Sequence, residues 1–144
     1  MKRKEINRTK LEFEALSQNE AFARQTISVF AASLDPTVEE ISDLRVVISE
    51  AVTNAVVHAY KNAGGKVAIT AVIYDDRTLK VTIRDTGCGI ENLEESMQPL
   101  FTTDPSGERG GMGFSIMQAM SKTFRVKSKV GKGTTLYITF QFNE

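Results

Sequence analysis

Residues 9–16 alternate apolar and polar, with Leu11, Phe13 and Ala15 at every second position, and so predict a strand. A Ser17-x-x-Glu20 pattern then has the form of a capping box opening a helix. Phe22, Ile27, Phe30 and Leu34 follow at helical spacing, with Ala23 and Val29 beside them. Asp35-Pro36 breaks that helix, and Thr37-Val-Glu-Glu40 offers a second capping box. Behind it Ile41, Leu44, Ile48, Val52, Ala55 and Ala59 draw one long apolar stripe that predicts a helix to about Tyr60. Asn62-Ala-Gly-Gly65 is turn chemistry, residues 66–74 and 78–84 are β-branched and strand-like, and 75–77 joins them as a hairpin. Residues 85–113 are rich in Gly, Thr, Asp and Pro, with a short helix expected over 93–97. A helix over 112–121 and strands over 123–129 and 134–142, flanking a turn at 130–133, complete the chain. This order segregates strands more than a parallel βαβ repeat would. It predicts an α+β fold, a two-layer sandwich with helices packed on one face of a mixed sheet.

Composition narrows the function classes. The 144 residues suit a single domain over 1–144, and eighteen Lys+Arg balance eighteen Asp+Glu. A neutral chain argues against nucleic-acid binding through bulk charge. The single cysteine excludes an internal disulfide framework and any multi-cysteine zinc site. No apolar run reaches the roughly 18–20 residues that span a bilayer, and the basic start of the chain has no apolar segment behind it. The expectation is a cytoplasmic domain with no membrane contact, its residues 1–8 a loose basic tail.

Three stretches carry candidate chemistry. Glu50, Asn54 and His58 recur every four residues along the long helix and form one polar line. Two readings are open: a solvated face, or a carboxylate and an amide serving as proton acceptor and metal ligand. The flanking Val46, Val47, Ala51, Thr53 and Val57 are unlike the Lys/Glu pairs of an exposed helix. Asp85-Thr-Gly-Cys-Gly-Ile90 follows a strand directly; it is either a tight capped loop or an acceptor for an exocyclic amine such as adenine's. Gly107-Glu-Arg-Gly-Gly-Met-Gly-Phe114 leads into a helix and is either a surface loop or an anion site at a helix N-terminus. Neither a Walker A run nor a complete dinucleotide fingerprint is present.

Taken together, Glu50-x-x-x-Asn54, Asp85-x-Gly87-x-Gly89, Gly111-x-Gly113 and Gly133-Thr-Thr135 resemble the ATP-binding fold shared by gyrase-type topoisomerases, heat-shock protein 90, sensor histidine kinases and mismatch-repair ATPases, the GHKL or Bergerat fold. The resemblance covers nearly the whole chain. At 144 residues no transducer or phosphoacceptor domain is expected beside it, and the resemblance is then to the small bacterial serine kinases that double as anti-sigma factors. Leu16-Ser-Gln-Asn-Glu-Ala-Phe-Ala-Arg24, Ser49-Glu-Ala-Val-Thr-Asn-Ala-Val-Val-His58, Pro99-Leu-Phe-Thr-Thr103 and Gly111-Met-Gly-Phe114 are most similar to the sporulation branch of that family, with the general-stress branch next.

The resemblance implies an ATP-dependent protein serine kinase. Such a kinase sequesters a sporulation sigma factor and phosphorylates a serine of its anti-anti-sigma antagonist. It implies Glu50 as general base, Asn54 as ligand of Mg²⁺ on ATP or ADP, and Asp85 as reader of adenine with Thr135 in support. Gly87, Gly89, Gly111 and Gly113 belong to the glycine boxes, and Thr102, Thr103 and Arg109 to a lid over 102–110. Arg24 and Arg109 are implied as partner contacts, and a homodimer is implied, for which the Leu11–Phe13 edge and the first helix are the expected interface. Cys88, Glu91 and Asp104 depart from the family's usual residues. The competing expectations are a nucleotide-gated sigma-binding module without phosphotransfer and a detached histidine-kinase catalytic domain.

Overall fold

The computed structural model describes residues 3–91 and 113–143. Strand β1 (Glu5–Glu14) precedes helix α1 (Asn19–Ala31), a 3₁₀ turn (Ala32–Leu34) and helix α2 (Val38–Asn54), which runs on into a π-helical turn (Ala55–Ala59). A hairpin of β2 (Lys66–Tyr74) and β3 (Thr78–Asp85) follows, then α3 (Gly113–Met120) and a hairpin of β4 (Thr123–Lys129) and β5 (Gly133–Gln141). The expected short helix over 93–97 lies outside the described residues.

The sheet order is β1-β2-β3-β5-β4, and every pairing is antiparallel. The two-layer α+β architecture is as expected, but among the described residues the sheet is antiparallel and not mixed. The reason is topological. After β3 the chain re-enters at the far edge as β4, and the following hairpin brings β5 back between β4 and β3 in the opposite sense to both.

Alternation decides which face is buried. Val67, Ile69, Ala71 and Ile73 of β2, Leu79, Val81 and Ile83 of β3, and Leu136, Ile138 and Phe140 of β5 point to one side. They close a single core with Leu44, Val47, Ile48, Ala51 and Val52 of α2, Ile27 of α1 and Met117 of α3. The helices therefore lie on that side, and among the described residues the other face of the sheet is left open.

Strand β1 starts at Glu5, four residues ahead of the sequence expectation. Residues 5–8, assigned from sequence to a loose tail, belong to this strand, and Glu5, Asn7 and Arg8 are paired with β2 across a bulge at Ile6. On α1 the buried stripe is Ala23, Ile27 and Ala31, continued by Leu34, whereas Phe22 and Val29 are 52% and 73% exposed. Ala23 and Ala31 flank Ile27 on the inner face of α1, while Phe22 and Val29 turn outward. Phe22 still meets the Phe13 ring edge-on, at 6.2 Å between centroids.

Only one of the two capping boxes forms. Thr37 Oγ1 accepts from the Glu40 N–H at 3.1 Å while Glu40 Oε1 accepts from the Thr37 N–H at 2.9 Å. At α1 the cap position is Gln18, with no side-chain cap, and Glu20 turns instead toward Arg24, one turn along the helix and 3.4 Å away. Thr37→Ala should therefore cost about 0.5–2 kcal/mol in urea unfolding, while Ser17→Ala stays within about 0.5 kcal/mol of the parent. Equal losses from both would contradict the observed caps.

Candidate functional site

The C-terminal half of α2 carries Glu50 and Asn54 one turn apart, both half-buried, between the buried Ala51, Val52 and Ala55. That exposure removes the solvated-face reading for these two. His58 follows within the π-helical turn. Single π turns in α-helices cluster at functional sites because they re-aim side chains. Here the turn ends at Tyr60, whose N–H donates to the Ala55 carbonyl at 3.0 Å.

Asp85 ends β3 on the inner face of the sheet. Its Oδ1 accepts two backbone N–H groups, from Gly87 at 3.0 Å and from Thr134 at 3.2 Å. Burial pushes the Asp85 carboxyl above the usual carboxylate range, and the two amide donors only partly offset this. Both donors fall on one oxygen, so the acceptor capacity of Oδ2 is what the carboxylate has to offer an incoming N–H. A half-buried carboxylate held this way suits an exocyclic amine.

The loop after Asp85 is clamped from two sides. On one side the Cys88 N–H donates to the Ala59 carbonyl of the π turn at 2.9 Å, and Tyr60 Oη accepts from the Thr86 N–H at 2.7 Å and donates to the Lys66 carbonyl at 2.6 Å. On the other side the Gly131 N–H donates to the Cys88 carbonyl at 2.8 Å. The Ile90 N–H donates to Ser128 Oγ at 2.9 Å, and that hydroxyl also meets Thr134 Oγ1 at 2.7 Å. These contacts explain the glycines. A Cβ at Gly87 would collide with the Ala59 backbone, and one at Gly89, where φ is +77°, with that of Lys129. The glycines are needed for chain-on-chain packing that sets the loop beside the end of α2.

The expectation for Thr135 needs correction. Thr135 pairs with Arg84 on the open face of the sheet, whereas Thr134 pairs with Asp85 and is buried beside it. The signal was present in the sequence: counting back by twos from Phe140, Ile138 and Leu136 reaches Thr134. Ser128 and Tyr60 had no such signal, because their partners lie far along the chain. Gly113 opens α3. Thr102, Thr103, Arg109 and Gly111, with the lid over 102–110, lie outside the described residues. Arg24 is on α1, half-buried, with its Nε 3.4 Å from Glu20 Oε2.

Among the described residues no group of three or more His, Cys, Asp or Glu side chains could hold a metal alone. Glu50 and Asn54 offer one carboxylate and one amide oxygen. That donor set fits Mg²⁺, which is usually held by one or two protein oxygens together with substrate phosphates and water. Asn54, with Glu50 beside it, would hold the ion only in company with a nucleotide.

The family model for histidine kinase-like ATPase domains matches residues 13–140. The chain is 49% identical over 136 residues to the anti-sigma F factor of Clostridium acetobutylicum, covering 94% of each chain. It is 52% identical over 130 residues to that of Anoxybacillus flavithermus, covering 90% of this chain and 89% of the relative. Among solved structures, a Mycobacterium tuberculosis protein with RsbU and RsbW domains superposes with a TM-score of 0.68 at 19% identity, over 95% of this chain and 32% of that one. The histidine kinase domain of a blue-light activated kinase from Erythrobacter litoralis superposes with a TM-score of 0.58 at 21% identity, over 85% and 60%. These two likenesses concern the fold.

Asp85→Asn keeps an oxygen for the Gly87 and Thr134 donors and removes the partly buried charge. Its unfolding free energy at neutral pH should equal or exceed the parent's, while ATP affinity falls about tenfold or more. The two pH dependences run in opposite directions. A carboxyl raised by folding adds stability at low pH that is lost as pH rises through its folded pKa, whereas an amine donor bound to Asp85 would need the ionised form, so its affinity is expected to weaken as pH falls through the same range. Calorimetric titration of parent and variant across that range reads both, and a steep pH response surviving in the variant would count against Asp85. Thr135→Ala, on the open face, should leave affinity unchanged.

Proposed function

Because the chain belongs to the histidine kinase-like ATPase domains, and among them to the anti-sigma F factors, we propose that it is an ATP-dependent protein serine kinase that sequesters a sporulation sigma factor and phosphorylates a serine of that factor's anti-anti-sigma antagonist. The observation that carries this reading is Glu50, half-buried one helical turn before Asn54 and on the helix whose end is pinned to the Asp85 loop. A nucleotide sensor needs the amide and the glycine loop. Only phosphotransfer needs a carboxylate there.

Mg-ATP supplies the γ-phosphoryl group and the metal's charge neutralisation when bound. The chain's own residues do the positioning. Asp85 accepts the adenine amine through Oδ2 and is held for it by Gly87 and Thr134. Asn54 would hold the metal through its amide oxygen, and Gly113, at the start of α3, would offer its backbone N–H to the phosphates, with Gly111 the other glycine-box residue that the resemblance implies. Thr102, Thr103 and Arg109 keep the phosphate-side role that the family resemblance implies for them. Glu50 would accept the proton of the substrate serine as its oxygen bonds to the γ-phosphorus and the bond from that phosphorus to the β-phosphate oxygen breaks, releasing ADP.

Arg24 and Arg109 are the proposed partner contacts, and the assembly is a homodimer. Strand β1 is an edge of the sheet, and Ile6, Leu16, Phe22 and Val29, along that edge and on α1, are exposed apolar side chains. They favour this side of the molecule, although Phe13, named from sequence, is itself buried. Among the described residues no helix is long and apolar enough to cross a membrane, and we place the protein in the cytoplasm.

The test is transfer of labelled γ-phosphate, with Mg²⁺, to the cognate anti-anti-sigma protein, beside a Glu50→Gln variant. Acid-stable serine label should fall by about a hundredfold or more in the variant while ATP affinity changes by less than about threefold. ATP binding without label would leave a nucleotide-gated sigma-binding module. An acid-labile product would indicate transfer to histidine, and a stress-response sigma factor as the tighter ligand would move the chain to the general-stress branch.

A further inference from the structure

The open face of the sheet takes no part in the nucleotide site, and its charge is one-sided. On β3, β5 and β4 every charged side chain facing outward is a cation: Lys80, Arg84, Arg125, Lys127 and Lys129. The one carboxylate in these three strands, Asp85, belongs to the inner face. Composition does not explain this, because the whole chain is neutral. The charges are sorted between layers: residues 19–61, mostly helical, hold six carboxylates against three cations.

Register shows how close the cations lie. Arg84, Thr135 and Lys127 sit side by side across β3, β5 and β4, and Thr82, Tyr137 and Arg125 form the adjacent row. Strands about 4.8 Å apart put Arg84 and Lys127 about 10 Å from each other, and same-face neighbours on β4 are about 7 Å apart. Among the described residues none of the five pairs with a carboxylate. The outward carboxylates sit on β1, where Glu5 pairs with Arg8 and Glu14 with Lys66. Like charges at this spacing repel, a cost that a ligand of opposite sign removes.

We propose that the open face of β3, β5 and β4 is a docking surface for an extended, acidic segment of a partner protein. Its carboxylates at alternate positions would meet Arg125, Lys127 and Lys129 at the same-face repeat of β4, which is the last strand of the sheet among the described residues. The hydroxyls of Thr82, Thr135 and Thr139, on the same face, add donors between the charges. A polypeptide is favoured over a nucleic acid because the one ring in this patch, Tyr137, lies under the Arg125 guanidinium at 4.8 Å. It therefore does not offer a bare face for a base to stack on.

The experiment is fluorescence anisotropy with the full chain and a short labelled peptide of alternating glutamate and threonine, at physiological salt. The same-length thymidine oligonucleotide and a lysine-for-glutamate peptide serve as comparison probes. Saturable binding of the acidic peptide is expected, at least about tenfold weaker in an Arg125→Gln/Lys127→Gln double variant and unchanged in Arg45→Gln on the helical layer. Circular dichroism checks that the double variant is folded, and Arg84→Gln gives a second reading away from the edge strand. The proposal is overturned by the absence of saturable binding, by equal binding in folded variants, or by tighter binding of the oligonucleotide. The last result would assign the face to nucleic acid.

Discussion

A carboxylate at the end of a central strand must stay ionised while partly shielded from water, and the Asp85 loop is organised around that constraint. Burial works against its charge, and the amides of Gly87 and Thr134 work for it. Those two amides come from different parts of the chain, so the site exists only while β3 and β5 keep their register. The Ser128 hydroxyl, between the Ile90 N–H and Thr134 Oγ1, extends the same dependence to β4. A slip of one residue between β3 and β5 would turn Thr134 to the open face and take its N–H away from Asp85.

The end of α2 is tied into the same unit. Its π turn presents the Ala59 carbonyl to the Cys88 N–H, and Tyr60 joins the turn to the first residue of β2 and to Thr86. Glu50 and Asn54 are therefore set relative to Asp85 through backbone contacts, with no side chain of theirs needed to bridge the gap. Rigid positioning is what phosphoryl transfer asks of a protein, since most of its acceleration comes from placement and electrostatics. The glycines at 87 and 89 serve that rigidity, since a side chain at either would meet the backbone of Ala59 or Lys129.

The sheet then works as a partition. Its inner face is apolar and covered by helices, continuing at one end into the nucleotide site. Its open face is polar, and on three strands its charge is of one sign. A chain with no net charge can still present a strong local field when the two layers sort their residues, so the bulk balance excluded less than it suggested.

Much of the fold and half of the site were legible beforehand. Period-two alternation over 66–74 and 78–84, the break at Asp35-Pro36 and the Thr37 capping box are local signals, carried by residues a few positions apart, and each holds in the structure. Glu50, Asn54 and Asp85 were legible because helical spacing and a strand end place them without long-range information. The Ser17 box failed because Glu20 had a competing partner in Arg24, and the outward turn of Phe22 was invisible because helical periodicity alone does not rank neighbouring faces. The sequence by itself determined the elements, the family and the chemical inventory of the site. Only the tertiary structure decided that Thr134 and not Thr135 stands beside Asp85, that a π turn closes the long helix, and that the cations of β3 and β4 share a face. Each of those depends on the register between strands or on one inserted residue in a helical turn, and pairing between distant segments is set by the packing of the whole core.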